Sequence, residues 1–335
     1  MCIRDRLSGG PAECTLKAKS IDFRFVQDTV EVLGMEGQAY PGYTMRMFSD
    51  NAAKVLKEFV FTRPVTLSGG GMFPMGDDMK LMKGRIRFDA SAGRVRYPLL
   101  GTTLDLGKAK GEILISPQWV VVDKMKGTIW DGSFTGRVLA QIDDGDALNG
   151  SFVLQDMNLT SIGRSYGKKM EKATVHGAIE FSSKGGNMNS IQAKGEAALV
   201  HGDLVEIPLF GFLGEALSNY IPGLGHLINY KITRADCDFS IEKGYIRTSN
   251  FSAKGSNMSL EGGGWIRLAD LQVNSDFKLG LRGLPGLITS PVFLLAGGLF
   301  QVRGTGPLSN VSWSFAPFSG GKAPVPPAAA PARRR

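Results

Sequence analysis

The chain has 335 residues, 43% of them hydrophobic and 21% charged, with 44 glycines, a formal charge of +8 and a pI near 9.3. That balance excludes a disordered chain, and the glycines follow no collagen period. The three cysteines, Cys2, Cys14 and Cys237, form no CxxC pair and no disulfide framework. No basic run is interleaved with aromatics as a single-strand nucleic-acid surface requires, so no nucleic-acid partner is expected.

Met1–Ser8 reads MCIRDRLS, which has neither the apolar core nor the cleavage pattern of a signal peptide. It resembles translated sequencing-adapter sequence, so residues 1–8 are expected to be a non-native leader, with the natural N-terminus missing. From Leu16 to Tyr43 the pattern is one of strands broken by glycines; Ile21, Phe23 and Phe25 alternate with Asp22 and Arg24 as in a half-buried strand. Ser49-Asp50 should cap a helix to Phe59, with Val55, Leu56 and Phe59 as its stripe. The run Ser68-Gly69-Gly70-Gly71 is expected to break the next strand as a flexible turn; it lacks the residues of a phosphate loop.

Alternation is clearest from Met79 to Asp143. Ile86 and Phe88 are followed by a turn at Ser91-Ala92-Gly93, then Val95 and Tyr97. Ile113, Ile115, Val120, Val122, Ile129, Phe134, Val138 and Ile142 mark later strands, at the spacing of roughly 8–12 residues typical of all-β chains. A strand at Gly150–Asn158 leads to a loop or single helical turn at Leu159–Tyr166. Strands at Val175–Phe181 and Ile191–Val200 follow.

The stretch Gly195–Gly225 then changes period. A strand pair turning at Gly202-Asp203 gives way at Pro208 to Leu209, Phe210, Phe212, Leu213 and Leu217 at helical spacings, closed by Pro222-Gly223. Two readings stay open: a helix plugging the end of a sheet core, or a helix beside an apolar groove that takes a lipid. Strands resume at Tyr230–Ile241, Tyr245–Ala253, Met258–Leu268 and Val273–Leu281. Leu284–Val302 is the most apolar stretch. Its Pro285 and Pro291 argue for a short helix against the sheet and not a membrane span of about 20 residues. A strand from Val302 to Phe315 precedes residues 320–335, whose PVPPAAAPARRR tail should be disordered.

Chemistry-bearing patterns are sparse. His176, His201 and His226 are far apart, and no GxSxG or HExxH motif occurs. Asp143-Asp144-Gly145-Asp146 lacks the spaced ligands of a calcium loop. No catalytic residue, metal ligand or cofactor is expected. What remains is a long sheet with one apolar face, which must pair with another sheet or roll around something. Acyl chains are a favourable filling, since each buried methylene contributes about 0.8 kcal/mol.

The segment Gly195–Asn219 resembles the C-terminal region of AsmA-like proteins, where a GxAxLxxGxL-type strand pair runs into an Ile-Pro-Leu helix, here Ile207-Pro208-Leu209 through Leu217. The ending Phe300-Gln301-Val302-Arg303-Gly304-Thr305 through Trp313 is similar to that family's closing strand, with Val311 where proline is usual. The resemblance covers roughly residues 16–316, best at 190–316, within an expected β-groove region of residues 9–319, and extends to the related TamB- and YhdP-type envelope proteins. It implies a mainly β fold: an elongated, curled antiparallel sheet with an apolar groove and a few short helices. It also implies a bacterial periplasmic location, an N-terminal inner-membrane anchor outside this chain, and a non-enzymatic role in moving phospholipid between the membranes. Leu209, Phe210, Phe212, Leu213 and Leu217 would be acyl-chain contacts. The alternatives are an envelope assembly scaffold that meets an outer-membrane partner by strand addition, and a carbohydrate-active enzyme with two facing carboxylates.

Overall fold

The computed structural model describes residues 2–3, 15–41, 58–75, 81–99, 102–141, 147–167, 169–170, 172–184, 190–203, 210, 213–220, 231–281 and 299–317. The protein is mainly β. It divides into two compact units, the first built largely from residues up to Met157 and the second largely from Lys169 onward. Among the described residues every strand pair is antiparallel, and in neither unit does the sheet close on itself.

In the first unit, β1 (Cys2–Ile3) bridges to β2 (Thr15–Lys17). β2 and β3 (Ser20–Arg24) share one edge of β4 (Thr29–Ala39), whose other edge takes β6 (Val65–Pro74). The order continues through β7 (Lys83–Asp89) to β9 (Thr102–Ile115), β10 (Trp119–Ile129), β11 (Gly132–Gln141) and β12 (Leu148–Asn158). The two-residue β5 (Val60–Phe61) pairs β8 (Arg94–Leu99), which lies on the half of β9 that β7 leaves free.

The expected break at the glycine run does not occur. Residues 68–71 lie inside β6, because a Cβ at Gly69 (φ +146°) would stand 2.0 Å from the Arg85 carbonyl oxygen. At Gly70 it would meet the Val32 oxygen at 2.3 Å. The glycines let neighbouring strands approach on both sides; they do not turn the chain.

Strand alternation gives this unit two unlike faces. Ile86, Ile113, Val122 and Val138 share one face through direct register, as do Leu67 with Phe88 and Val30 with Phe73. Its core centres on Ala39, Val65, Leu67, Val95 and Ala109, with a second cluster at Val32, Phe73, Met82 and Ile115. The opposite face carries Arg85, Arg87, Lys110, Glu112, Asp123, Thr135 and Arg137.

A short helix, α1 (Leu159–Ser165), stands where the sequence suggests a loop or single turn. Asn158 Oδ1 accepts from the Thr160 amide at 2.9 Å, satisfying one of the helix's orphan donors.

The second unit is a meander. β13 (Thr174–Ser183), β14 (Gln192–Asp203), β15 (Lys231–Glu242), β16 (Tyr245–Gly255), β17 (Met258–Arg267), β18 (Gln272–Leu281), β19 (Leu299–Pro307) and β20 (Ser312–Pro317) pair in chain order. The expected single closing strand from Val302 to Phe315 is therefore a hairpin, turned at residues 308–311. α2 (Leu213–Tyr220) packs on β20. The expected helix at 50–59 and the short helix expected within 284–302 fall at least partly outside the described residues. Among the described residues no helix is long and apolar enough to cross a membrane.

Candidate functional site: the apolar face of the second unit

Direct register places Val175, Leu199 and Ala235 on one face, with Phe181, Ala193 and Ile241, and with Ile179, Gly195 and Phe239. The same face continues through Ala253, Leu260, Leu279 and Phe300, and through Phe251, Gly262, Phe277, Val302 and Phe315. The reverse face carries Lys194, Glu196, Asp236, Glu261, Lys278 and Arg303. One side of eight strands is thus apolar, the other charged. That arrangement arises from the period-2 pattern, and a slip of one residue would invert it.

The two ends of the apolar face differ. On β17–β19, Leu260, Leu279 and Val302 are fully buried. There Phe210 forms a ring cluster: 5.3 Å to Phe251 on β16, 5.3 Å to Phe277 on β18 and 5.9 Å to Trp313 on β20. Flat strands would put β16 and β20 about 19 Å apart at the usual spacing of roughly 4.8 Å. One ring touching both means that their side chains converge on this face, and Phe210 fills the convergence. Aromatic pairs at these separations add about 0.5–1.5 kcal/mol each beyond area burial.

On β13–β15 the same face is only half-buried at Val175, Ile179, Phe181, Phe239 and Ile241. This stripe is a partly open apolar surface. Its residues were visible in the sequence as strand alternation, but which strands the Phe210 cluster covers depends on contacts between segments far apart in the chain. Cys237 lies on the stripe, and burial first, then the neighbouring Asp238 and Asp236 carboxylates, push its thiol pKa up.

The five predicted contact residues are divided by the structure. Phe210 is buried in the ring cluster. Leu213 and Leu217 lie in α2. Leu209 and Phe212 lie outside the described residues.

Among the described residues no group of three His, Cys, Asp or Glu side chains is placed to hold a metal ion. A facing pair of carboxylates does exist in the first unit, Glu112 opposite Asp123 on β9 and β10. Both act as ion-pair acceptors: Glu112 for Arg85, Arg87 and Lys124 at 3.0–3.5 Å, and Asp123 for Arg137 at 3.6 Å. No family model, curated protein or solved structure matches the chain.

Proposed function

We propose that this protein is a non-enzymatic component of the bacterial cell envelope that binds or conducts phospholipid acyl chains along its apolar sheet face. In this reading it works in the periplasm, held to the inner membrane by a segment outside this chain, as the resemblance to AsmA-like proteins implies. The observation that carries the reading is the gradient on the second unit's apolar face. It is sealed by Phe210 at one end and half-open at Val175, Ile179, Phe181, Phe239 and Ile241. A tail laid on the stripe would contribute about 0.8 kcal/mol per methylene removed from water. Headgroups would remain at the wet strand ends.

The test is lipid extraction from purified protein followed by mass spectrometry, for wild type and for Ile179→Asp with Phe239→Asp. Phospholipid well above that on an unrelated β protein, lost in the double variant, supports the reading. Background-level lipid on the wild type overturns it.

The filled end supports a second reading, an assembly scaffold. Where the face is packed by the protein's own rings, it has no room for a tail, and the sheet would act through its edges. Cross-linking that captures an outer-membrane protein through β20 in lipid-free preparations would favour this reading.

A further inference from the structure

We infer that the polar face of the first unit is a binding site for a phosphate-bearing anion, centred on Lys110 and Lys126. The inference is independent of the acyl-chain reading, because it concerns the opposite kind of surface.

Lys110 on β9 and Lys126 on β10 are direct cross-strand partners. Side chains so paired stand about 4.5–5.5 Å apart at Cβ, and like charges there repel. Neither lysine has a carboxylate within ion-pairing distance among the described residues.

The nearby acids are already committed. Glu112, nine-tenths buried, sits beneath Arg85, Arg87 and Lys124. Asp123 takes Arg137. Asp89, opposite Lys110, is held first by the Ser91 hydroxyl and by its amide at 2.8 Å, and Lys110 acts on it only weakly, from beyond ion-pairing distance. The cations outnumber the carboxylates that could neutralise them.

The ground is also concave. A depression of about 830 Å³ lies over these residues, lined by the cations Arg87, Lys110, Lys124 and Lys126, by the acids Asp89, Glu112 and Asp123, and by Thr135. β10 bulges between Val122 and Met125 against β11 and between Asp123 and Lys126 against β9, with Lys124 at φ +51°, so Lys124 is re-aimed toward Glu112 while Lys126 stays opposite Lys110. The volume is that of a small-ligand site. Two lysines set side by side on neighbouring strands, with a guanidinium and the Thr135 hydroxyl bordering the same depression, match the several acceptor oxygens of a phosphate. A bound phosphate would also remove the repulsion between the lysines.

The phosphate could belong to a soluble molecule or to a lipid headgroup, and two probes separate them. Calorimetric titration of the full chain with pyrophosphate should show saturable, salt-sensitive binding if a soluble anion fits. Flotation with phosphatidylglycerol vesicles reports on a headgroup. Whichever probe binds, Lys110→Gln with Lys126→Gln should weaken it at least about tenfold, as loss of charge-assisted contacts implies. Lys254→Gln, on the second unit, should leave binding unchanged. Removing a repelling pair should leave the melting temperature equal or higher, and Lys126→Gln alone serves if the double variant fails to fold. The inference is overturned if the wild type binds neither probe, or if the lysine variants bind as tightly as the wild type.

Discussion

The indole of Trp313 occupies the place where a Gly304 side chain would begin. A Cβ built on Gly304 would lie 2.8 Å from Trp313 Cζ3, closer than real Cβ atoms approach. The two residues are direct partners across β19 and β20, so the ring lies over its neighbour's backbone and reaches Phe210 and Phe277. Gly304→Ala should lift the indole off the sheet and loosen those contacts. Overpacking of this kind costs about 1–3 kcal/mol. A lower urea midpoint with blue-shifted tryptophan fluorescence lost would show it; an unchanged midpoint would mean the ring relocates freely.

Phe210→Ala should be costlier still. The ring is 1% exposed and touches three other rings. Phe→Ala in such cores costs about 3–5 kcal/mol, measurable by equilibrium urea unfolding. If Phe210 is a plug, Phe210→Leu should keep the unit folded and raise the lipid recovered on extraction, by opening the sealed end. If it is itself a tail contact, recovery should fall.

Much of this fold could be read locally. Ile86 and Phe88, or Val273 through Leu281, alternate in the sequence and fall on one apolar face of their sheet in the structure. What could not be read locally depended on a distant partner. Gly69 looks like a turn until Arg85 is placed beside it. The run from Val302 to Phe315 looks like one strand until Gly304 is set against Trp313. Phe210 stands in the sequence only as one of several helix-spaced apolar residues, and the rings it packs against come from β16, β18 and β20, far away in the chain. The opposition of Lys110 and Lys126 is likewise a fact of register, and no motif signals it.

Glu112→Gln should separate structure from binding on the polar face. Its carboxylate accepts from three cations that are themselves 61–73% exposed, so the released side chains can reach water. The loss of stability should therefore be held to about 1–3 kcal/mol. Anion binding should tighten, since the variant removes the competing carboxylate. Parallel urea unfolding and pyrophosphate titration check both halves. Weaker binding would place Glu112 in the role of positioning the cations.

Asp89 predicts a small acid-side effect. The Ser91 hydroxyl and amide hold its carboxyl below the usual range. A depressed folded pKa stabilises above the unfolded value of about 3.9, and the contribution is lost as pH falls through the folded one. The group is largely exposed, so Asp89→Asn should cost only about 0.5 kcal/mol at neutral pH. The difference from wild type should shrink as pH falls through the folded pKa and vanish below it, as thermal melts across an acid-to-neutral pH series would record.

Cys237 gives a reporter on the half-open stripe. Burial first, then the Asp238 and Asp236 carboxylates, raise its thiol pKa. The thiolate is the reactive form, so at pH 8 alkylation by a small maleimide should run at least about tenfold slower than in the urea-unfolded chain and speed up as pH rises. The raised folded pKa also means that the thiol's contribution to stability is present below its unfolded pKa and lost as pH climbs through the folded one. Because Cys237 shares the apolar face with Phe239 and Ile241, a bound acyl chain should slow alkylation further in proportion to occupancy. Adding phospholipid micelles and following the rate by mass spectrometry tests this. A rate indifferent to lipid, with lipid nonetheless bound, would move the acyl site away from β13–β15.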